Sequence, residues 1–122
     1  MIELTLPFPV SANHVWKHRR ANHRAYLSQR AKMFRAEVVA TLRSLGVQPL
    51  LGPLRVEIII HPPDQRKRDL DNLLKSLLDA LQHGRAFVDD SQISHLVIIR
   101  REPMPPAGET KVRIWEQSEQ QE

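Results

Sequence analysis

The strongest constraint on the fold of this 122-residue chain is a run of leucines between residues 70 and 81. Their spacing of three and four residues places them on one side of an α-helix, because the helix has about 3.6 residues per turn. The stripe consists of Leu70, Leu73, Leu74, Leu77, Leu78 and Leu81. Gly84 stands where this helix is expected to end. A helix with one apolar stripe must pack against a second layer, so a packed domain is expected.

Strands are predicted on both sides of this helix. Residues 55–61 alternate in character, are rich in β-branched side chains, and are followed by two prolines, which predicts a central strand. Further strands are predicted at 2–6, 96–100 and 111–115, and a first helix from an N-cap at Ser28 to Gly46. The order β-α-β-α-β-β, with the last two strands as a hairpin, predicts an α+β fold: one small domain with a mixed sheet and two helices. That domain is expected to span residues 1–116, with a polar C-terminal tail at 117–122.

The charge distribution favours a polyanionic partner. Lys and Arg total 18 against 14 acidic residues, and no acidic residue occurs between Glu3 and Glu37. Residues 10–26 have no regular period and are predicted to be a loop, in which Trp16 and Tyr26 could stack on bases while cations neutralise phosphates. The candidate DNA-binding cations of this segment are Lys17, Arg19, Arg20 and Arg24. The alternative is an ordinary solvated basic face with its aromatic side chains tucked into the core.

Other features limit the class of protein. The chain has no cysteine, so disulfides, thiolate metal sites and thiol nucleophiles are excluded. The N-terminus lacks a secretory pattern, and no apolar run approaches the roughly 18 residues of a membrane span. A soluble, cytoplasmic protein without a membrane partner is expected.

The densest charge pattern lies at the start of the leucine helix. Arg66, Lys67 and Arg68 run directly into Asp69 and Asp71. Hard cations such as Mg²⁺ take oxygen ligands, and one or two carboxylates with substrate phosphate oxygens are enough. The three cations would then contact the flanking DNA backbone. The alternative is structural, because carboxylates at a helix N-terminus cap free N–H groups and are favoured by the macrodipole.

Additional polar residues extend this candidate site. Lys75 is one turn after Asp71 and could neutralise charge on a phosphate, or simply form an exposed ion pair with that aspartate. Asn72 could contact the phosphate or hold the helix start. A second acidic turn contains Asp89 and Asp90, either of which could complete the metal site or cap the next element. Since the helix is about 20 Å long, Asp90 would have to fold back along it to meet Asp71.

These motifs resemble those of the RusA family of Holliday junction resolvases. The resemblance is carried by residues 68–73 (Arg-Asp-Leu-Asp-Asn-Leu), by Lys75, and by residues 89–93 (Asp-Asp-Ser-Gln-Ile). It extends to the early Leu-Pro-Phe-Pro at residues 6–9 and to the helix beginning near Ser28. The combination of both acidic motifs at this separation is specific, whereas Asp-Leu-Asp-Asn alone would be weak.

The resemblance implies a homodimeric, Mg²⁺-dependent endonuclease that cuts a four-way DNA junction by paired symmetric nicks. It implies that Asp69, Asp71 and Asp90 bind the metal and that Lys75 is the catalytic lysine. Mn²⁺ is expected to substitute for Mg²⁺. Two other functions remain open: a branched-DNA-binding protein without catalytic activity, and a metal-dependent nuclease of other branched DNA.

Overall fold

The computed structural model of the chain describes residues 1–11, 16–18 and 25–117, and the side chains of residues 1–11 and 27–117. The elements in chain order are β1 (Ile2–Leu6), β2 (Trp16–His18), β3 (Ala25–Leu27), α1 (Gln29–Ser44), β4 (Leu54–His61), α2 (Leu70–His83), a 3-10 turn (Asp90–Gln92), β5 (Ile93–Arg100) and β6 (Glu109–Glu116). This confirms the α+β domain with two helices and a mixed sheet. The predicted tail lies outside the described residues apart from Gln117, whose N–H donates to Pro53 O at 2.8 Å.

The main sheet has the strand order β1-β6-β4-β5. β4 is the central strand that its sequence predicts, since it pairs antiparallel with β6 and parallel with β5. Its alternate residues Leu54, Val56, Ile58 and Ile60 are fully buried in the core that the helices cover. β2 and β3 form a separate antiparallel pair, so the prediction of a loop throughout residues 10–26 is wrong at these two short strands.

The predicted hairpin of β5 and β6 is wrong, because the two strands lie on opposite sides of β4. The connection between them wraps around the end of β4: Arg101 N–H donates to Ile60 O at 2.9 Å and Met104 N–H to Pro62 O at 2.8 Å. Gly108 has φ +77°, and a Cβ there would lie 2.7 Å from His61 O. The turn-rich residues 104–108 therefore belong to a connection that passes the end of β4 and joins the strands on either side of it. They do not form a hairpin.

The start of α1 and the C-terminal ends of α1 and α2 follow local capping rules. The Ser28 hydroxyl accepts from Ala31 N–H at 3.2 Å, which confirms the predicted N-cap of α1. α1 ends at Ser44, and Gly46, directly after the C-cap Leu45, has φ +64°, as a glycine in that place commonly does. α2 ends at His83 with Gly84 as its C-cap, as the sequence predicts, and Arg85 after it has φ 69°. A Cβ at Gly84 would lie 2.6 Å from Leu42 Cδ1 of α1, so a larger residue there would require the Leu42 side chain to shift.

Leucines of the predicted stripe form the contact of α2 with the core. Leu73, Leu77 and Leu81 are almost completely buried, whereas Leu74 and Leu78 are partly buried at the margin. Among the described helices, none is long and apolar enough to cross a membrane.

Among the residues whose side chains are described, two buried polar atoms have no hydrogen-bond partner: Arg55 Nε, whose guanidinium lies over the Trp115 ring, and Thr110 Oγ1. Thr110 of β6 is fully buried between Leu6 of β1 and Ile60 of β4 in the strand register, and its Oγ1 is unpaired. A buried hydroxyl without a partner costs about 1–3 kcal/mol of desolvation. Thr110→Val keeps the side-chain shape and should therefore raise the free energy of unfolding by about 1 kcal/mol in urea titrations. Thr110→Ser, which keeps the hydroxyl and loses the methyl group, should lower it; a destabilised valine variant would contradict this reading.

Candidate functional site

The loop between β4 and α2 is organised by Asp64. Its Oδ1 lies 2.8 Å from Arg68 Nη1 and also accepts from Arg66 N–H at 2.9 Å. Arg66 Nε lies 3.7 Å from the other carboxylate oxygen. The hydrogen bond from Arg68 is the largest cause that holds the pKa of Asp64 below its usual value. The carboxylate therefore fixes the direction in which the chain enters α2.

The side chain of Arg68 is held by contacts within the protein and does not extend into solvent. Its side chain is only 19% exposed, and its guanidinium lies 5.1 Å from the centre of the Phe8 ring. Nη1 also approaches the carbonyl oxygens of Asp64 and Arg66 at 3.4 and 3.3 Å. From β5, Arg100 Nη1 donates to Arg68 O at 2.7 Å, which holds the peptide directly before Asp69. Of the three cations predicted here to contact DNA, Arg66 and Lys67 are exposed.

Asp69 and Asp71 are both exposed at the start of α2. Asp69 occupies the N-cap position with extended backbone, yet its side chain makes no capping hydrogen bond. Asp71 Oδ1 accepts from Asn72 N–H at 3.0 Å, which leaves its second oxygen for another contact. The capping alternative therefore does not account for Asp69 and uses only one oxygen of Asp71.

Lys75 is exposed and, among the residues whose side chains are described, forms no ion pair with a carboxylate. The alternative of an ion pair with Asp71 is thus not formed. Asn72 is half-buried beside the loop. Lys75 lies four residues after Asp71, and Asn72 lies three residues after Asp69, so each adds a polar side chain beside one of the two aspartates.

The two aspartates of the second acidic turn have different roles. Asp89 Oδ2 accepts from Ser91 N–H at 2.9 Å, and the pKa of Asp89 is lowered first by the hydrogen bond of the Ser91 side chain and then by that of this N–H. Gln92 completes a capping box, because its Oε1 accepts from Asp89 N–H at 2.9 Å. The capping alternative therefore holds for Asp89. Asp90 is exposed and is held through its backbone: its N–H donates to Gln82 Oε1 at 2.9 Å, and its carbonyl oxygen accepts from Ile93 N–H.

A single chain does not bring Asp90 to Asp69 and Asp71. Asp90 is tied to Gln82, which is twelve residues along α2 from Leu70, or about 18 Å at 1.5 Å per residue. Within residues 1–11 and 27–117, no three His, Asp or Glu side chains converge as a metal site requires. The three aspartates are thus divided between opposite ends of one helix.

Two grooves lie on either side of residues 66–69, and this segment is called the ridge below. The α1-side groove has a volume of about 550 Å³ and is lined by Phe8, Pro9, Ser11, Arg30, Pro63, Arg66, Lys67, Arg68, Asp69, Asn72 and Leu73. The β5-side groove, of about 560 Å³, is lined by Pro62, Asp64, Gln65, Arg66, Lys67, Arg68, Asp69, Arg100, Arg101 and Pro103. Asp69 borders both grooves, so the exposed carboxylate stands among cations.

Three lining cations were missed by the sequence reasoning: Arg30, Arg100 and Arg101. Arg30 belongs to the acid-free window of the sequence, which was a signal for it. Arg100 is the last residue of β5, and Arg101 follows it. Because β5 runs parallel to β4, both arginines lie at the same end of the sheet as the ridge. Because a hairpin of β5 and β6 was predicted instead, this position of the two arginines was not expected. The predicted cations Arg19, Arg20 and Arg24, and the side chain of Lys17, lie outside the described residues.

Fold and site together define a small α+β protein that presents exposed carboxylates among cations, an arrangement suited to hydrolysis of a polyanionic backbone. A family model described as "Endodeoxyribonuclease RusA" matches residues 7–115. The chain therefore belongs to the RusA family, which confirms the resemblance seen in its motifs, and it is a nuclease that hydrolyses phosphodiester bonds.

Individual relatives agree over nearly the whole chain. The "Crossover junction endodeoxyribonuclease rusA" of Enterobacteria phage HK97 is 35% identical over 115 residues, which is 93% of this chain and 93% of the relative. The protein of that name from Shigella sonnei is 32% identical over 114 residues, covering 93% of this chain and 92% of the relative. A relative of the same name from Enterobacteria phage 82 has the same identity and coverage.

The ion pair of Asp64 should make stability depend on pH. Because the pKa of Asp64 is lowered in the folded protein, its ionised form stabilises the fold above the ordinary value of 3.8, and this contribution is lost as pH falls through the lower folded pKa. The difference in free energy of unfolding between wild type and Asp64→Asn should therefore be constant above that value and shrink below it. Urea titrations across acid pH measure this; a difference that grows in acid would contradict it.

Proposed function

We propose that this chain is a Mg²⁺-dependent endodeoxyribonuclease that resolves four-way DNA junctions by paired symmetric nicks and acts as a homodimer. The observation that carries the proposal is the exposed Asp69 carboxylate, which does not cap its helix and borders two cationic grooves. The names of the relatives, which specify crossover junctions, support the choice of substrate. The proposed pathway is DNA recombination and repair.

The donor set fits a hard divalent cation. Asp69 and Asp71 present carboxylate oxygens that the fold does not consume, and Asp90 presents a third exposed carboxylate. Oxygen ligands of this kind suit Mg²⁺, with Mn²⁺ as a substitute. When bound, such an ion polarises the scissile phosphate and lowers the pKa of a water molecule.

The chain's own side chains would do the remaining work. Lys75, which has no partner among the described carboxylates, would stabilise the negative charge that develops on the phosphate during attack. Asn72, half-buried in the wall of the α1-side groove, would hydrogen-bond the phosphate on the same side. Arg66 and Lys67 would bind the flanking backbone, and Arg68 would hold the ridge in place.

A homodimer would solve the separation of the three aspartates. Across the roughly 18 Å between the ends of α2, one ion cannot contact all three carboxylates of a single chain. Asp90 of a second copy would have to complete the site beside Asp69 and Asp71. A two-fold axis builds two such sites at once, and two sites are what paired nicks in a junction require.

The open edge of the sheet offers a surface for this dimer. β5 pairs only with β4 in the described sheet, so its other edge has free backbone groups. Leu96, near the middle of β5, is 38% exposed. Asp90 precedes the start of β5, whereas Arg100 at its end contacts the residue before Asp69. Antiparallel pairing of two β5 strands would therefore bring Asp90 of a second copy towards Asp69 of the first.

Substitution of one metal ligand should abolish cutting. Asp71→Asn removes an anionic ligand and should slow cleavage of a synthetic four-way junction in Mg²⁺ by at least about a hundredfold, since several kcal/mol of transition-state stabilisation are lost. Junction binding in a gel-shift assay should be retained. Glu37→Gln, which removes a negative charge from the exposed surface of α1, is the matched control and should cut as wild type.

The same assay tests the alternatives. If wild type binds four-way junctions but nicks none of them with any divalent metal, it binds junctions without resolving them, and the proposed substrate of cutting is wrong. Efficient cutting of flaps or three-way branches, with none of four-way junctions, would indicate a nuclease of other branched DNA. Normal cutting by Asp71→Asn would show that the site is wrong.

Mixing of inactive variants tests the shared site. Chains carrying both Asp69→Asn and Asp71→Asn are mixed, after unfolding and refolding, with chains carrying Asp90→Asn. If each site combines two copies, a mixed dimer contains one intact site and should nick one strand of a junction. If each site belonged to one chain, every site in the mixture would lack a ligand. Absence of nicking in mixtures shown to contain mixed dimers would overturn the shared site.

A further inference from the structure

The two grooves beside the ridge have matching charge but different walls. The α1-side groove has four cations and one carboxylate, and the β5-side groove has five cations and two carboxylates. Residues 66–69 belong to both counts, so beyond the ridge each groove adds a net charge of +1, from Arg30 on the α1 side and from Arg100 and Arg101 less Asp64 on the β5 side. Neutralisation of phosphates by such cations releases counterions, which is the main source of affinity for a nucleic-acid backbone. Each groove is suited to hold a phosphate backbone.

The ridge between the grooves is held firmly. Arg68 is bound on one side by Asp64 and Phe8, and its carbonyl oxygen is bound from β5 by Arg100. A backbone that occupies both grooves must pass over this fixed segment. Asp69 lies at the end of the ridge and borders both grooves, so the crossing point coincides with the proposed site of cutting.

We infer that the cut strand crosses the ridge at the branch point, with its flank in one arm seated in the α1-side groove and its flank in the neighbouring arm seated in the β5-side groove. This inference rests on the proposed function. At a four-way junction a strand leaves one helix and enters another at the branch, so it changes direction there. A straight duplex would have to be bent to follow the same path, which costs elastic energy. The ridge would thus select branched over linear DNA.

Chemical crosslinking can locate the two flanks. Because the chain has no cysteine, single cysteines can carry a photoactivatable crosslinker at defined positions. Gln29→Cys, next to Arg30, reports on the α1-side groove, and Glu102→Cys, next to Arg101, on the β5-side groove; both positions are exposed. Each is placed in the Asp71→Asn background, so that the junction is bound without being cut.

One label should crosslink nucleotides on the 5′ side of the branch point, and the other label nucleotides on the 3′ side. This readout does not depend on which pair of strands the protein engages. Crosslinks from both labels on the same side of the branch would overturn the inference. Cutting by wild type and binding by the unlabelled variant are measured separately, so failure of the proposed function is distinguished from failure of the ridge crossing.

Salt dependence gives a second, independent measurement. Arg30→Gln and Arg101→Gln should each reduce the slope of log affinity against log salt by about 1 on a four-way junction. On a linear duplex at most one of them should do so, because a straight duplex can lie in only one groove. Arg43→Gln, at the far end of α1 from Arg30, is the control for net charge and should change neither slope. Equal reductions by both groove substitutions on linear duplex would contradict the inference.

Discussion

The parallel pairing of β4 with β5 is the constraint on which the site depends. Parallel neighbours cannot be joined by a tight turn, so the chain between them must cross over, and α2 is that crossover. The C-terminal ends of β4 and β5 and the start of α2 then lie at the same end of the sheet. This brings the ridge, Asp69 and the cations that end β5 together, although more than 30 residues separate Arg100 from the ridge.

Within that frame, a few contacts convert a flexible loop into a rigid one. The carboxylate of Asp64 binds the guanidinium of Arg68, while Phe8 from the segment after β1 and Arg100 from β5 also contact Arg68. The cost of ordering the loop is met by a surface ion pair together with packing, and not by the ion pair alone, since exposed pairs contribute little. As a result the carboxylate of Asp69 needs no capping bond to be positioned and is left exposed.

Features governed by local rules could be predicted from the sequence, whereas those governed by strand partners could not. The leucine spacing located α2, and Ser28 located the start of α1, because period and capping act within a few residues. The position of β6 depended on which strands could be buried on both sides. β4 alternates between buried and half-buried residues and β6 has a buried residue at every second position, whereas β5 has no fully buried residue, which fits its place at the edge. No local pattern encoded that choice, and Arg30 of α1 joined the site for the same non-local reason.

The crossover also explains why the proposed metal site would need a second copy of the chain. In the β4-α2-β5 unit, the segment that follows β4 and the segment that precedes β5 lie at opposite ends of the strands. Asp69 and Asp90 belong to these two segments, and their separation is set by the length of α2 rather than by loop conformation. No rearrangement of the loops that preserves the helix can bring them to one ion. If all three aspartates bind the same metal, the Asp90 carboxylate must come from another chain. Catalysis would then be confined to the assembled dimer.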